Sequence, residues 1–293
     1  MNKNIFICAL TTLTLAACSS DDDAPSTPPA AEHRLTVVVN ETPFVSADGG
    51  EAKERMETRG SVITTSTLNS FYMNYGENRY TIKKVNQEWT TTPNTWPTVG
   101  NDTKITFYAY TAGTYYSAGN YLSFPAEENA GSTTDLLVAK SLPTSYNDAK
   151  GQVNLTFSHA CAAIQFTVEI TNTLFSQLGG NLTVSKIVLQ NVVKQGDYKF
   201  EFDNDSWELG TTSDDYTSYT LFTGNLSVTT DPQSISSSPL FVIPQTLGKS
   251  ASFEITYNTG KTTTISLQDV KWEAGHQYKM NIRLGTQQIQ TGV

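Results

Sequence analysis

From Leu35 onward the chain alternates apolar and polar residues with a period of two. In AIQFTVEI, Ile164, Phe166, Val168 and Ile170 share one face, while Gln165, Thr167 and Glu169 take the other. QVNLTF groups Val153, Leu155 and Phe157. QYKMNIRL groups Tyr278, Met280, Ile282 and Leu284 against Lys279, Asn281 and Arg283. YKFEF sets Tyr198, Phe200 and Phe202 in phase, and ASFEITY does the same for Phe253, Ile255 and Tyr257. Successive strand side chains point to opposite faces, so each pattern predicts a half-buried strand. LTVVVN, LNSFYMNY, RYTIKKV, KITFYAY, DLLVA, LTVSKIVLQ and LFVIP add further strands. Turn residues separate them: Asn101-Asp102, Gly179-Gly180, the Asn258 to Gly260 stretch, Pro239 and Pro244. No stretch holds a helical period with caps.

Many short strands bounded by Gly, Pro and Asn predict an all-β chain of antiparallel sandwiches. These strands outnumber the seven of one sandwich. Two tandem antiparallel β-sandwich domains are therefore expected, at 35–158 and 159–284, followed by a tail at 285–293.

The opening follows another pattern. A short polar start at Asn2, Lys3 and Asn4 leads into IFICALTTLTLAA. An apolar stretch of that length falls short of the roughly 20 residues a spanning helix needs. It has the layout of a signal peptide at 1–17. Leu15, Ala16 and Ala17 precede Cys18, and Leu-Ala-Ala-Cys resembles the lipobox of bacterial lipoproteins. That resemblance implies cleavage between Ala17 and Cys18, with acyl chains on Cys18. One chain anchors marginally, and two or three hold firmly. SSDDD then resembles the acidic signal of surface-exported lipoproteins, and as plain chemistry it is a hydrated, self-repelling segment. APSTPPAAEH continues a tether at 18–34, stiffened by Pro25, Pro28 and Pro29.

Composition narrows the function. The formal net charge is −9 and no block of Lys or Arg occurs, so nucleic acid is not expected as a partner. Apart from Cys8 and Cys18, the cysteines reduce to Cys161 in SHACAAIQF. It reads as a small buried hydrophobe, and no disulfide framework is available.

Chemistry is sparse. The three histidines, His33, His159 and His276, form no His-x-x-x-His pair, and there is no Cys-x-x-Cys, phosphate loop or Gly-x-Ser-x-Gly elbow. Each histidine reads as a capping or turn residue. The acidic runs at 203–206 and 212–217 lack the loop of a calcium site and read as solvated turns. No catalytic residue, metal or cofactor is expected. TAGTYYSAGNYLSF gathers Tyr115, Tyr116 and Tyr121 near glycines. It reads either as a hairpin with aromatic cross-strand partners or as a platform on which sugars stack.

Several stretches taken together resemble the fimbrillin family, the subunits and relatives of type V pili. They are TRGSV, ITFYAYT, DLLVAKS, VNLTFSHACAAIQFTVEI, KIVLQNV, PLFVIPQTL and WEAGHQYKMNIRL, in this order from Thr58 to Leu284. The resemblance implies two transthyretin-like β-sandwich domains and export to the outer membrane as a lipoprotein. It also implies a structural or adhesive, non-enzymatic role in surface fimbriae, with other fimbrial subunits and a host or bacterial surface receptor as partners. It further implies maturation by an Arg-directed protease. The matching position here is Arg59, followed by Gly60, with Arg55 as a second candidate. A cut there would detach Cys18, the tether and LTVVVN together. A neighbouring subunit would then lend a strand to the vacated groove, on the principle of β-augmentation. Leu35 to Asn40 are expected to plug that groove beforehand. GTQQIQTGV is a weak donor, because Ile289 falls out of phase with Ile282 and Leu284. The alternative function is a glycan-binding surface lipoprotein that uses the tyrosine loop. A surface hydrolase finds no supporting constellation.

Overall fold

The computed structural model describes residues 33–46, 63–126, 134–236 and 238–286, and the statements below concern these. Up to residue 159 the strands are β1 (Thr36–Glu41), β2 (Val45–Ser46), β3 (Ser70–Tyr75), β4 (Asn78–Val85), β5 (Glu88–Thr92), β6 (Tyr108–Tyr110), β7 (Thr114–Tyr116), β8 (Tyr121–Pro125), β9 (Leu137–Lys140) and β10 (Gln152–His159). Next come β11 (Ala162–Ile170), β12 (Leu182–Val193), β13 (Gln195–Lys199), β14 (Ser206–Leu209), β15 (Tyr216–Val228) and β16 (Gln233–Ser234). The last are β17 (Leu240–Val242), β18 (Gln245–Thr246), β19 (Ser252–Tyr257), β20 (Thr262–Ser266), β21 (Lys271–Trp272) and β22 (His276–Leu284). The fold is all-β, as the period-two pattern predicts.

The largest sheet runs β1-β10-β9-β6-β3-β4-β5. It is rolled. Strands β3 and β10 stand three places apart, which in a flat sheet would separate them by about 14 Å. Yet the rings of Phe71 and Phe157 meet edge to face with centroids 4.9 Å apart. The concave face buries Val153, Leu155 and Phe157 with Leu35, Val37, Met73, Ile82 and Phe107. The Val153, Leu155, Phe157 phase is thus the predicted one.

The second sandwich faces β16-β11-β22-β2 with β15-β12-β19-β20. Ile164, Phe166, Val168 and Ile170 pack against Ile187, Leu189, Phe253 and Ile255, as the alternation predicts. Phe166 meets Phe253 edge to face at 5.8 Å. A third cluster joins residues from both sides of Ser158, among them Phe44, Tyr110, Leu122, Val138, Cys161, Tyr198 and Phe241. The expected division near Ser158 lies where the chain passes from β10 to β11. The described residues nevertheless cluster as one compact unit.

Three features differ from the sequence expectations. Three pairings are parallel: β1 with β10, β11 with β22, and β2 with β22. Parallel neighbours need long crossovers, and here whole sheets lie between them. Phe202 is not in phase with Tyr198 and Phe200. Strand β13 ends at Lys199, and Phe202 is 91% exposed in the following loop. Two short helices also occur. One (Tyr146–Ala149) is capped by Ser145. The other (Asn172–Leu178) is capped by Thr171 and stopped by Gly179 in the left-handed region at φ 70°. Neither is long enough to display a helical period.

Candidate functional site

The site is the path of residues 33–46. Strand β1 lies parallel to β10 in unbroken register, from Thr36 opposite Gln152 to Glu41 opposite Phe157. It forms the outer edge of the rolled sheet, and its first residues bridge to the far end of that sheet. Leu35 N donates to Asn94 O at 2.7 Å, Trp96 N donates to His33 O at 2.6 Å, and Thr91 Oγ1 donates to Leu35 O at 2.9 Å. The segment therefore closes a gap between β10 and the β5 end. Its alternation explains the placement: Leu35 and Val37 are buried, while Val38 is exposed.

The same segment then crosses to the second sandwich. Thr42 N donates to Phe157 O at 2.7 Å, and Val45 N donates to Gly275 O at 2.8 Å, which starts the short parallel pairing with β22. Between those bonds Phe44 turns inward, into the cluster shared by both halves. Its ring stacks on His159 with centroids 3.7 Å apart and planes 20° apart. His33, at the opposite end, stacks on Tyr146 at 4.0 Å. The segment is thus pinned at both ends by a histidine–aromatic pair.

His159 does not cap a turn. It is buried, and its Nδ1 donates to Asp135 Oδ2 at 2.8 Å, with both side chains essentially excluded from solvent. The same carboxylate oxygen accepts from Ile63 N at 3.3 Å. Nearby, the Glu41 carboxylate accepts from Thr65 N. Residues just after the Arg59 candidate cut are therefore tied both to the plug segment and to the pair beneath it. Cys161 is buried and free, and burial, followed by the nearby Asp135 carboxylate, pushes its thiol pKa far up. Such a thiol is a packing residue. His276 opens β22 opposite Val45, and its Nδ1 lies 2.9 Å from Ala274 O in the preceding turn.

The tyrosines expected to act together are separated. Strands β7 and β8 form a hairpin in which Tyr116 faces Tyr121 across the strands. Those two rings stack outward at 4.8 Å, and Lys199 Nζ sits 4.2 Å from the Tyr121 ring centre. Tyr115 turns inward between Tyr108 and Tyr110, and its hydroxyl donates to Asn120 Oδ1 at 2.8 Å. Only Tyr116 and Tyr121 remain for an outward platform.

The acidic runs are built into turns. Asp205 accepts from Lys140 Nζ, Tyr198 OH and Glu201 N, and Asp215 accepts from the backbone N–H and hydroxyl of Thr212. Among the described residues no group of three His, Cys, Asp or Glu side chains could hold a metal ion. His33 and Arg34, the last two residues of the expected tether, are held against the body. Ala17, Cys18, Arg55, Arg59 and Gly60, the signal peptide, and the tether up to residue 32 lie outside the described residues. So does most of the tail after Gly285.

Sequence reasoning missed Phe44 and Asp135. The one available signal was Phe44 itself, an aromatic after Pro43 in the otherwise polar stretch NETPFVSADGG.

The fold and this edge define a β-sandwich protein whose N-terminal segment completes both of its main sheets. The family model described as fimbrillin-like matches residues 54–293, and the chain belongs to that family. Two solved structures share the fold. One is a candidate cell adhesion protein from Bacteroides uniformis, 14% identical with a TM-score of 0.50, the match covering 89% of this chain and 95% of that one. The other is a candidate cell adhesion protein from Bacteroides ovatus, 14% identical with a TM-score of 0.52, covering 85% and 92%. A fimbrial protein from Bacteroides vulgatus is 17% identical, covers 86% and 95%, and has a TM-score of 0.48. No curated protein matches the chain. Membership suggests a structural role at the cell surface, in association with other fimbrial subunits.

Proposed function

We propose that this chain is a fimbrial subunit or accessory protein that assembles by strand replacement at the edge now filled by residues 33–46. The observation that carries the reading is the way this segment is held. It is a parallel edge strand that buries only a few side chains in the cores and lies upstream of Arg59. A cut after Arg59 would leave it attached by non-covalent contacts alone. Its departure would expose the backbone groups of β10 and an apolar slot where Leu35 and Val37 now sit.

In the same reading Cys18 is the acylated first residue of the mature protein. It holds the precursor in the outer membrane, at the cell surface, until the cut frees the body. Arg-specific protease added to purified chain tests the proposal. N-terminal sequencing is expected to find Gly60, and SDS-resistant ladders are expected to follow. Arg59→Ala with Arg55→Ala is expected to prevent both. A body that stays monomeric after complete cleavage at Arg59 would overturn strand replacement.

A second reading keeps one observation in its favour. The outward Tyr116–Tyr121 stack, flanked by Lys199, offers one free aromatic face to a sugar ring.

A further inference from the structure

We propose that the Asp135–His159 pair is a built receptor for the aromatic side chain of an incoming strand. A strand that replaces residues 33–46 must then place an aromatic residue seven positions after the second of two alternating aliphatic residues. This inference rests on the strand-replacement reading and adds the identity rule for the partner.

Three side chains of the segment are buried in the cores, Leu35, Val37 and Phe44, while Val39 packs half-buried against the first core. The first two fill aliphatic pockets, which tolerate many residues of similar volume. Phe44 meets a far more specific surface. Its ring lies face to face with the His159 imidazole at 3.7 Å, with Phe241 beyond at 6.3 Å. A flat slot lined by an imidazole face suits another flat ring, and an aliphatic side chain would leave part of it unfilled.

The imidazole is held in place. Asp135 accepts from Nδ1, and Ile63 N–H donates to the same carboxylate oxygen, so the receptor is oriented by groups outside the replaceable segment. Pre-organisation of this kind spares the incoming strand the ordering of its own socket. A cleft of about 430 Å³, lined in part by Pro43, Val45, Trp207 and His276, opens beside it.

The spacing is set by backbone bonds at both ends. Val37 is fixed opposite Val153, and Thr42 N and Val45 N are fixed to Phe157 O and Gly275 O. The path from the second aliphatic pocket to the aromatic slot is therefore one definite length of chain. The rule reads aliphatic, any residue, aliphatic, six residues, aromatic. Residues 285–293 of this chain contain no aromatic residue. That stretch does not meet the rule, so the occupant is a partner strand that carries the aromatic residue at this spacing.

The test uses the full chain nicked after Arg59, with its own segment still bound. Labelled peptides of residues 33–46 compete for the edge in three forms: native, Phe44→Leu, and native with one residue inserted between Val37 and Phe44. The native peptide is expected to exchange in. The other two are expected to need on the order of tenfold higher concentration. Exchange of the native peptide should leave the His159 ring proton resonances where the resident Phe44 ring sets them, and occupation by Phe44→Leu should move them downfield. Equal competition by the native and Phe44→Leu peptides overturns the aromatic rule while leaving strand replacement standing. Failure of every peptide, native included, to exchange overturns both.

Discussion

The backbone of Gly151 lies directly beneath the carbonyl of Arg34. A Cβ on Gly151 would fall well inside the van der Waals shell of the Arg34 oxygen, and Gly151 sits at φ 81°, where L side chains are strained. From the next peptide, Thr36 N donates to Gly151 O at 2.8 Å. The start of the plug strand is thus laid on a site that only glycine leaves open.

Gly151→Ala is therefore expected to lower stability by about 1–3 kcal/mol. The loss should concentrate in β1. Hydrogen exchange of Thr36–Glu41 is expected to quicken more than exchange of β12, and denaturant titration with exchange mass spectrometry would show it. Uniform loosening of both strands would count against a local role for Gly151.

Cys161 should be silent towards alkylating reagents in the native protein at pH 8. Burial raises its pKa, so the neutral thiol dominates there and no path for reagent exists. Site-resolved mass spectrometry after iodoacetamide is expected to find Cys161 modified only when denaturant is present.

The two neighbouring tyrosines should behave oppositely. Tyr115→Ala removes a ring packed against Tyr108, Tyr110 and Phe200 and is expected to cost about 2–4 kcal/mol. Tyr116 is 45% exposed, so Tyr116→Ala should stay within about 1 kcal/mol of the wild type. A glycan array run on Tyr116→Ala then separates the two functional readings. Glycan binding by the wild type that disappears in this stable variant would support the sugar platform.

Asp215 should titrate below the ordinary carboxylate range. The Thr212 hydroxyl bond is the main cause, with the Thr212 backbone N–H next. A depressed folded pKa contributes stability above the unfolded value, and that contribution is lost as pH falls through the folded pKa. Thr212→Ala is expected to move the Asp215 midpoint upward, as followed by carboxyl carbon NMR.

Much of the architecture was legible because burial and alternation coincide. Val153, Leu155 and Phe157, and Ile164 through Ile170, lie on the faces that their spacing predicts. Phe202 failed because phase does not reveal where pairing stops, and the Asp203–Asp205 turn ends the strand before it. The parallel pairings were hidden because register between strands remote in sequence leaves no local trace. His159 misled for the same reason: its partner Asp135 is 24 residues away, and its roof Phe44 comes from a third element. The plug segment itself was readable as a strand. Its second anchor across the other sandwich was not, since Phe44 is one ring in a polar run.

The parallel pairing of β11 with β22 also bears on timing. Strands β11 and β22 of the second sandwich zip together over eight residue pairs, from Ala163–Gln277 to Ile170–Leu284. More than a hundred residues must therefore be looped out before this closure forms, and so remote a contact makes for slow collapse. A nascent chain emerging amino end first holds β11 ready with nothing to clasp until the closing stretch arrives. Slow self-closure of this sort keeps a polypeptide threadable for longer, a useful trait for any chain that must cross a membrane unfolded.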